Sequence, residues 1–345
     1  MKLSRKKLRN LIAESIEEYK DSFKIERLLL ERKSDIAYRN FAIFFFDYIF
    51  KLENFVIQIA PGGTDVWTTN IWFEKINPAG RKYTEHNKQF TGVILTLKYS
   101  KISKLWQDYQ KLIPYDKDVF FNGNIDNFKK WILKLVIGFL DNQPHTSGAG
   151  GTMSPKGIMR ISNFYKYVRD KDLPGVVEGD KYSINKSLQL FFQNIGSNLD
   201  SMRMLKFIIT HELVHYMNAI RADGEPYRAK GGMKQFQSGT QEYHDSTEEI
   251  QARIITGQQH FLRVSQKYAS HAYKEKVKIY ELLSNGLTIA AVSHFMKTFG
   301  IADFFKYSPK NRKRIMKRIK YFFDNEVMSS EEYMNWKEIN TIHKV

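Results

Sequence analysis

The chain has 345 residues, of which 42% are hydrophobic and 14% aromatic, and this composition excludes a disordered protein. It contains no cysteine, so disulfides and thiolate metal ligands are excluded, and any metal ligand must be His, Asp or Glu. The formal net charge of +17 has two interpretations, an anionic partner or a solvated basic surface. No signal peptide is visible, and the most apolar run, "FAIFFFDYIF", is too short to span a bilayer and predicts a core helix.

The N-terminal half alternates between helical and strand patterns. Apolar residues recur at helical spacing over residues 4–19, 23–52 and 126–143. Stretches rich in β-branched and aromatic residues, most of them bounded by turn signals, predict strands at residues 54–60, 65–76, 92–100 and 158–162. A glycine-rich stretch, residues 145–157, is predicted as a loop before the last of these strands.

The C-terminal half is mostly helical. Residues 201–222 predict a long helix, residues 223–243 predict a glycine-bearing loop, and a further helix is predicted to start near Asp245 and to pass Leu262. No linker separates domains cleanly, so we predict one α+β unit with helical extensions at both ends. The predicted division is an N-terminal helical extension, a core and a basic helical C-terminal extension, at 1–50, 51–265 and 266–345.

The stretch "HELVH" places two histidines four residues apart on the predicted long helix. His211 and His215 therefore lie on one face, where they can share one metal ion, and zinc accepts imidazole nitrogen. Glu212 is rotated by about 100°, beside the ion rather than on it, where a general base is needed. This is the H-E-x-x-H pattern of zinc metallopeptidases. The alternative is two polar residues on an ordinary buried helix, but their burial without a partner would be costly.

A catalytic zinc usually has three protein ligands, so a third is expected. The extended pattern with a third histidine fails, because Asn218 stands at its glycine position and Arg221 at its final ligand position. The candidates are therefore Glu248 and Glu249 on the next helix.

The cap of that helix bears on the choice between the two glutamates. Either Asp245 with Glu248 or Ser246 with Glu249 makes a capping box, and only one box can form. If Asp245 is the cap, Glu249 is free to reach the ion. The small residue Ala252 lets the two helices approach closely, and we therefore favour Glu249 over Glu248.

With "HELVH" followed by "EEIQA", the chain resembles the gluzincin type of HExxH zinc metallopeptidase, and more narrowly uncharacterised metallopeptidase-like proteins of large tailed bacteriophages. The resemblance implies a zincin-like fold, in which a small, mostly antiparallel sheet packs on an active-site helix. It implies one Zn²⁺ held by His211, His215 and Glu249, with Glu212 as the catalytic base. The implied activity is hydrolysis of peptide bonds in a peptide or protein substrate by metal-activated water. If the chain is phage-encoded, its place is the host cytoplasm or the virion.

The resemblance also assigns roles around the metal. It implies that residues 151–162 include an edge strand on which an extended substrate pairs, whereas the alternative is a plain structural strand. Better-known members carry an Asp where this chain has Arg253, which leaves His244 and Asp245 as candidate partners of the zinc histidines. The candidates for stabilising the oxyanion are Tyr243, His244 and Tyr227, with Tyr216 less favoured.

The stretch "SPKNRKRIMKRIKYFF" supports a different class of function. It predicts a helix with Ser308 as N-cap and Pro309 in the first turn. Its apolar face is predicted to be Ile315, Met316, Ile319, Phe322 and Phe323, and its cations are Lys310, Arg312, Lys313, Arg314, Lys317, Arg318 and Lys320. The hypothesis is that these cations hold nucleic acid or an acidic protein. The alternative is a solvated face, or pairing with acids such as Glu331 and Glu332. In this view the protein is a basic nucleic-acid-binding or virion-assembly protein with a structural or vestigial metal site.

Overall fold

The structure is a computed structural model that describes residues 35–60, 92–113, 118–140, 151–154, 157–162, 192, 203–222, 242, 245–264 and 270–342. The helices, α1 to α9 in chain order, are 35–44, Ile102–Leu112, Ile125–Ile132, Arg203–Arg221, Thr247–Arg263, Ser270–Ser284, Thr288–Thr298, Pro309–Phe322 and Glu331–Ile342. The strands, β1 to β5, are Phe55–Ala60, Gly92–Leu97, Val136–Leu140, Gly151–Ser154 and Ile158–Ser162. The helix predicted at 4–19 and the strand predicted at 65–76 lie outside the described residues.

The described strands form one small, mostly antiparallel sheet in the order β1-β2-β3-β5-β4. Strands β1 and β2, β2 and β3, and β4 and β5 pair antiparallel, whereas β3 and β5 run parallel. Helix α4 packs against β4 and β5 at one end of this sheet. The chain is thus α+β, as predicted, and the helix that carries the histidines lies beside the edge strand β4.

The prediction of one helix over 126–143 is wrong. Helix α3 ends at Ile132, and β3 follows between β2 and β5. The sequence of β3, "VIGFL", lacks polar residues, so it shows none of the alternation that separates a strand from a helix. Gly157 aligns β5 with β3: its φ is +91°, and a Cβ there would lie 2.8 Å from the carbonyl oxygen of Lys134.

The glycine-rich stretch predicted as a loop contains β4. Its pairing places Gly151 opposite Ile161 and Ser154 opposite Ile158. Of the four residues "GTMS" only Thr is enriched in strands and Gly is depleted, so pairing with the neighbouring strand decides the conformation of this segment.

The first hydrophobic core lies between α1, α2, α3, the sheet and α4. The run "FAIFFFDYIF" is a core helix, as predicted, and continues from α1 into a π-helical turn, Phe45–Ile49. Phe41, Phe44 and Tyr109 meet edge to face, with Phe44 and Tyr109 centroids 5.1 Å apart. None of the helices in the described ranges combines the length and the apolar character that crossing a membrane requires.

A second hydrophobic core joins α5 to the C-terminal helices. Helix α5 serves both cores: Ala252 and Ile255 face the first, whereas Ile250, Ile254 and Phe261 face the second. The predicted domain boundary at residue 265 stays a prediction. Because α5 contributes residues to both cores, the two cores meet along this helix.

Helix α8 has Ser308 as its N-cap and Pro309 in its first turn, as predicted. Its predicted apolar face packs on the second core, with Met316 partly buried. Not all of its cations belong to a solvent-facing surface. Arg318 is buried in an ion pair with Asp35 of α1.

Candidate metal centre

Two histidines of α4 converge one helical turn apart. The Nε2 atoms of His211 and His215 are 3.2 Å apart, and their ring planes are inclined by 75°. The helix is held in place because Leu213 and Val214, between them, are fully buried in the first core. The two imidazole side chains remain 11% and 24% exposed, so the site is more open to solvent at His215.

Helix α5 brings Glu249 to these histidines. Its N-cap is Ser246, whose Oγ accepts a hydrogen bond from the backbone N–H of Glu249 at 3.3 Å. The interpretation with Asp245 as the cap is wrong, because Asp245 accepts a hydrogen bond from the backbone N–H of Ser308 instead. The side chain of Glu249 still reaches α4, and its carboxylate is 1% exposed.

Three ligand atoms form a triangle of the size that tetrahedral zinc requires. Oε2 of Glu249 lies 3.2 Å from Nε2 of His211 and 3.6 Å from Nε2 of His215, and the two nitrogens are 3.2 Å apart. Ligands at about 2.0–2.1 Å from a tetrahedral zinc lie about 3.3–3.4 Å from one another. Both carboxylate oxygens of Glu249 and Nδ1 of His211 are buried without a hydrogen bond of good geometry among the described residues. The donor set and its spacing therefore fit a zinc ion.

The buried charges of this cluster depend on one another. Burial alone would raise the pKa of Glu249, but the charge and contact of His211, the contact of His215 and the charge of Arg253 hold that pKa well below its ordinary value. Burial alone would lower the pKa of His215, but the contact with Glu249 and the charge of Glu212 raise it. The guanidinium of Arg253 thus supplies positive charge at Oε1 of this carboxylate, and either a protonated imidazole or a divalent cation would supply it at Oε2.

Glu212 interacts electrostatically with His211, His215 and Glu249 and is not itself one of the three converging residues. It is buried, and burial raises its pKa, against the opposing charges of His211 and His215. A carboxylate placed in this way can take up and release a proton without occupying a position at the metal.

Glu248 is not part of the converging group. It lines a neighbouring cavity of about 170 Å³ with Tyr38, Asn218 and Arg221. Asn218 and Arg221, at the positions of the extended histidine motif, both bind the hydroxyl of Tyr38. These two positions are therefore occupied in contacts with α1.

The other predicted site residues do not meet the cluster within the described structure. Tyr243, His244 and Tyr227 lie outside the described residues. Tyr216 is fully buried and donates to the carbonyl oxygen of Trp131, so its hydroxyl is bound to α3. Asp245 binds the N-terminus of α8.

The structure adds two neighbours that the sequence analysis did not assign. Arg253 Nε lies 2.7 Å from Oε1 of Glu249, a contact that the i,i+4 spacing of opposite charges could have predicted. Tyr307 has a buried hydroxyl without a hydrogen bond among the described residues. Burial, modified by the charges of Arg253 and Glu249, raises its pKa to about 12. Tyr307 is 58 positions after Glu249, so no local signal points to it.

The local geometry shows that this group of residues could hold a metal ion. Helices α4 and α5 supply the three ligand atoms, and Glu212 and Arg253 lie beside them. Comparisons with protein-family models, curated proteins and solved structures find no match to this chain.

Proposed function

We propose that the protein is a zinc-dependent metallopeptidase with a zincin-like fold. The single observation that carries the proposal is the triangle of His211 Nε2, His215 Nε2 and Glu249 Oε2, with sides of 3.2, 3.2 and 3.6 Å. Three protein ligands leave one position of a tetrahedral ion for water or substrate, which is the composition of catalytic rather than structural zinc sites. The partial exposure of His215 would give a bound ion access to solvent.

Bound zinc would act as a Lewis acid, polarising the scissile carbonyl and lowering the pKa of water. Glu212 takes one proton from the attacking water as its oxygen adds to the carbonyl carbon. Glu212 then delivers this proton to the leaving nitrogen as the carbon–nitrogen bond breaks, which yields a carboxylic acid and an amine. Burial of Glu212 beside the histidines keeps this proton from exchanging freely with bulk water.

The strand β4 offers a place for an extended substrate. It is an edge of the described sheet, and it packs against α4. A peptide that adds to this edge would hydrogen-bond through its main chain and run beside the helix that carries His211 and His215. We therefore propose that the enzyme binds its substrate as a β-strand added to β4.

The proposal is tested by metal analysis combined with hydrolysis of a broad peptide library, with and without a zinc chelator. We expect one zinc per chain and cleavage that chelator abolishes and added zinc restores. His215→Ala should lose both, whereas His271→Ala, at a histidine whose side chain is 81% exposed on α6, should lose neither. Cleavage that persists in His215→Ala, or a wild-type chain without zinc, would refute the proposal.

A second candidate function is a basic binding or virion-assembly protein with a structural metal, and one observation favours it. Lys310, Lys313 and Lys317 lie on one exposed stripe of α8, and none of them has an ion-pair partner among the described residues. Such a stripe suits the phosphates of nucleic acid. Binding to mixed-sequence DNA by a chain that holds zinc but cleaves no peptide would favour this function over the peptidase.

A further inference from the structure

The carboxylate of Glu249 is held from two sides. Oε2 faces the two imidazoles, whereas Oε1 faces the guanidinium of Arg253. Metal and arginine would therefore bind different oxygens of the same group. A carboxylate without Arg253 could rotate about its terminal torsion, which is broad for glutamate, and turn its lone pairs away from the ion.

Arg253 is itself anchored to a strained segment of the chain. Its Nη1 donates to the carbonyl oxygens of Gly300 and Ile301, in the segment that follows α7. Ile301 has a φ of +49°, a region that β-branched residues avoid and occupy only where the surroundings hold them. Gly257 lets α5 approach this segment, since a Cβ there would lie 3.2 Å from the nitrogen of Gly300. The anchor is thus part of the packing between α5 and α7.

The same helical layer also holds the start of α5. Asp245 accepts hydrogen bonds from the backbone N–H of Ser308 at 3.0 Å and from the side chain of Asn311 at 3.1 Å. Arg314 donates to Oγ1 of Thr247 at 3.1 Å. The described residues of 270–342 therefore bind α5 at two places. They contact the first turn, which carries Glu249, and they also bind Arg253.

We infer that Arg253 is a positioning residue of the metal centre, through which the helices of residues 270–342 set the affinity for zinc. The inference rests on the proposed metal site and not on hydrolysis. The alternative is a purely structural role, in which Arg253 only neutralises a buried carboxylate. If the role were purely structural, removing the charge of Arg253 would leave the zinc affinity unchanged or would increase it, because a neighbouring cation is removed.

The test measures the zinc dissociation constant of the full chain by competition with a chromogenic chelator. Arg253→Met should weaken binding by about 10- to 100-fold, as is typical when a group that orients a metal ligand is lost. The zinc affinity of Arg253→Lys should lie between those of the wild type and Arg253→Met, because one ammonium cannot bridge the carboxylate and the carbonyls as a guanidinium does. Arg312→Met, at a half-buried arginine of α8, is the matched control and should bind zinc like the wild type.

Two further measurements separate positioning from folding. Cobalt(II) in place of zinc should show altered visible absorption in Arg253→Met, because the ligand geometry has changed. Gly257→Ala keeps Arg253 but displaces its anchor, so zinc binding should weaken by less than in Arg253→Met, and this variant decides the question if Arg253→Met does not fold.

Wild-type zinc affinity and an unaltered cobalt spectrum in these variants would overturn the inference while leaving the proposed function intact. A wild-type chain that binds no zinc would instead overturn the proposed function, and this inference with it.

Discussion

Replacing Glu249 by Gln tests which glutamate is the third ligand. The change keeps the size of the side chain and removes its negative charge. Oε2 of Glu249 lies 3.2 and 3.6 Å from the two imidazole nitrogens, whereas Glu248 lines the neighbouring cavity. Glu248→Gln, at the adjacent position of the same helix, is therefore the matched control.

The expected magnitudes follow from these contacts. Loss of one of the three direct ligands should weaken zinc binding more than loss of a residue that only orients a ligand, for which about 10- to 100-fold is typical. We therefore expect zinc binding to weaken by more than about 100-fold, or about 2.7 kcal/mol. Without metal, Glu249→Gln removes charge-assisted contacts but leaves Arg253 bonded to the carbonyl oxygen of Ile301. We therefore expect the free energy of unfolding to fall by about 1–3 kcal/mol, not by the larger cost of an unpaired buried charge.

The assay is a zinc titration against a competing chelator, together with denaturant unfolding of the metal-free chain. Glu248→Gln should match the wild type in the titration. If Glu248→Gln loses zinc and Glu249→Gln keeps it, the ligand is Glu248. If both variants bind zinc like the wild type, the third ligand is neither glutamate, and the geometric argument fails.

Three other predictions concern the base, the pH dependence and the basic helix. Glu212→Gln should abolish peptide hydrolysis and keep one zinc, measured by elemental analysis; loss of the zinc would contradict its role as the base. In the metal-free chain, the raised pKa of His215 stabilises the fold fully below about pH 6.5, and this contribution is lost as the pH rises through the raised pKa. The lowered pKa of Glu249 stabilises the fold fully above about pH 4.5, and this contribution is lost as the pH falls through the lowered pKa. Because zinc competes with the proton on His215, the difference between the melting temperature with zinc and that with chelator should increase from pH 5 to pH 8. A difference that does not change with pH would contradict the prediction that His215 binds zinc. Binding of mixed-sequence DNA should fall steeply with salt and weaken when three lysines are changed together to Gln, while cleavage of a small neutral peptide survives; salt-independent binding would remove the nucleic-acid hypothesis. These lysines are Lys310, Lys313 and Lys317.

The choice of those three lysines depends on the structure. In the sequence all seven cations of α8 look equivalent. In the structure Arg318 pairs with Asp35, Lys320 pairs with Asp324, and Arg314 binds Thr247. Arg312 is half-buried, which leaves the three lysines as the remaining exposed cations. A variant that includes Arg314 would disturb the start of α5 and, through it, the metal centre.

Local periodicity determined those elements whose residues carry their own pattern. The spacing of His211 and His215 places both on one helical face whatever surrounds them, because an α-helix repeats every 3.6 residues. The apolar face of α8 is equally local, and it packs as predicted. Local periodicity missed strand β3 and the edge strand β4, because a uniformly apolar run and a glycine-rich run carry no period and take their conformation from their neighbours in the sheet. The edge strand was expected within residues 151–162 only from the resemblance.

Contacts between distant residues were decided by tertiary structure alone. The sequence favoured Glu249 by way of a cap at Asp245, but Asp245 binds Ser308, 63 positions away, and Ser246 is the cap. The sequence also contained the pair Glu249 and Arg253 without showing that Arg253 is tied to Ile301. Such partners are selected by the packing of whole helices, since a buried charge takes whichever opposite charge or carbonyl the fold brings within reach.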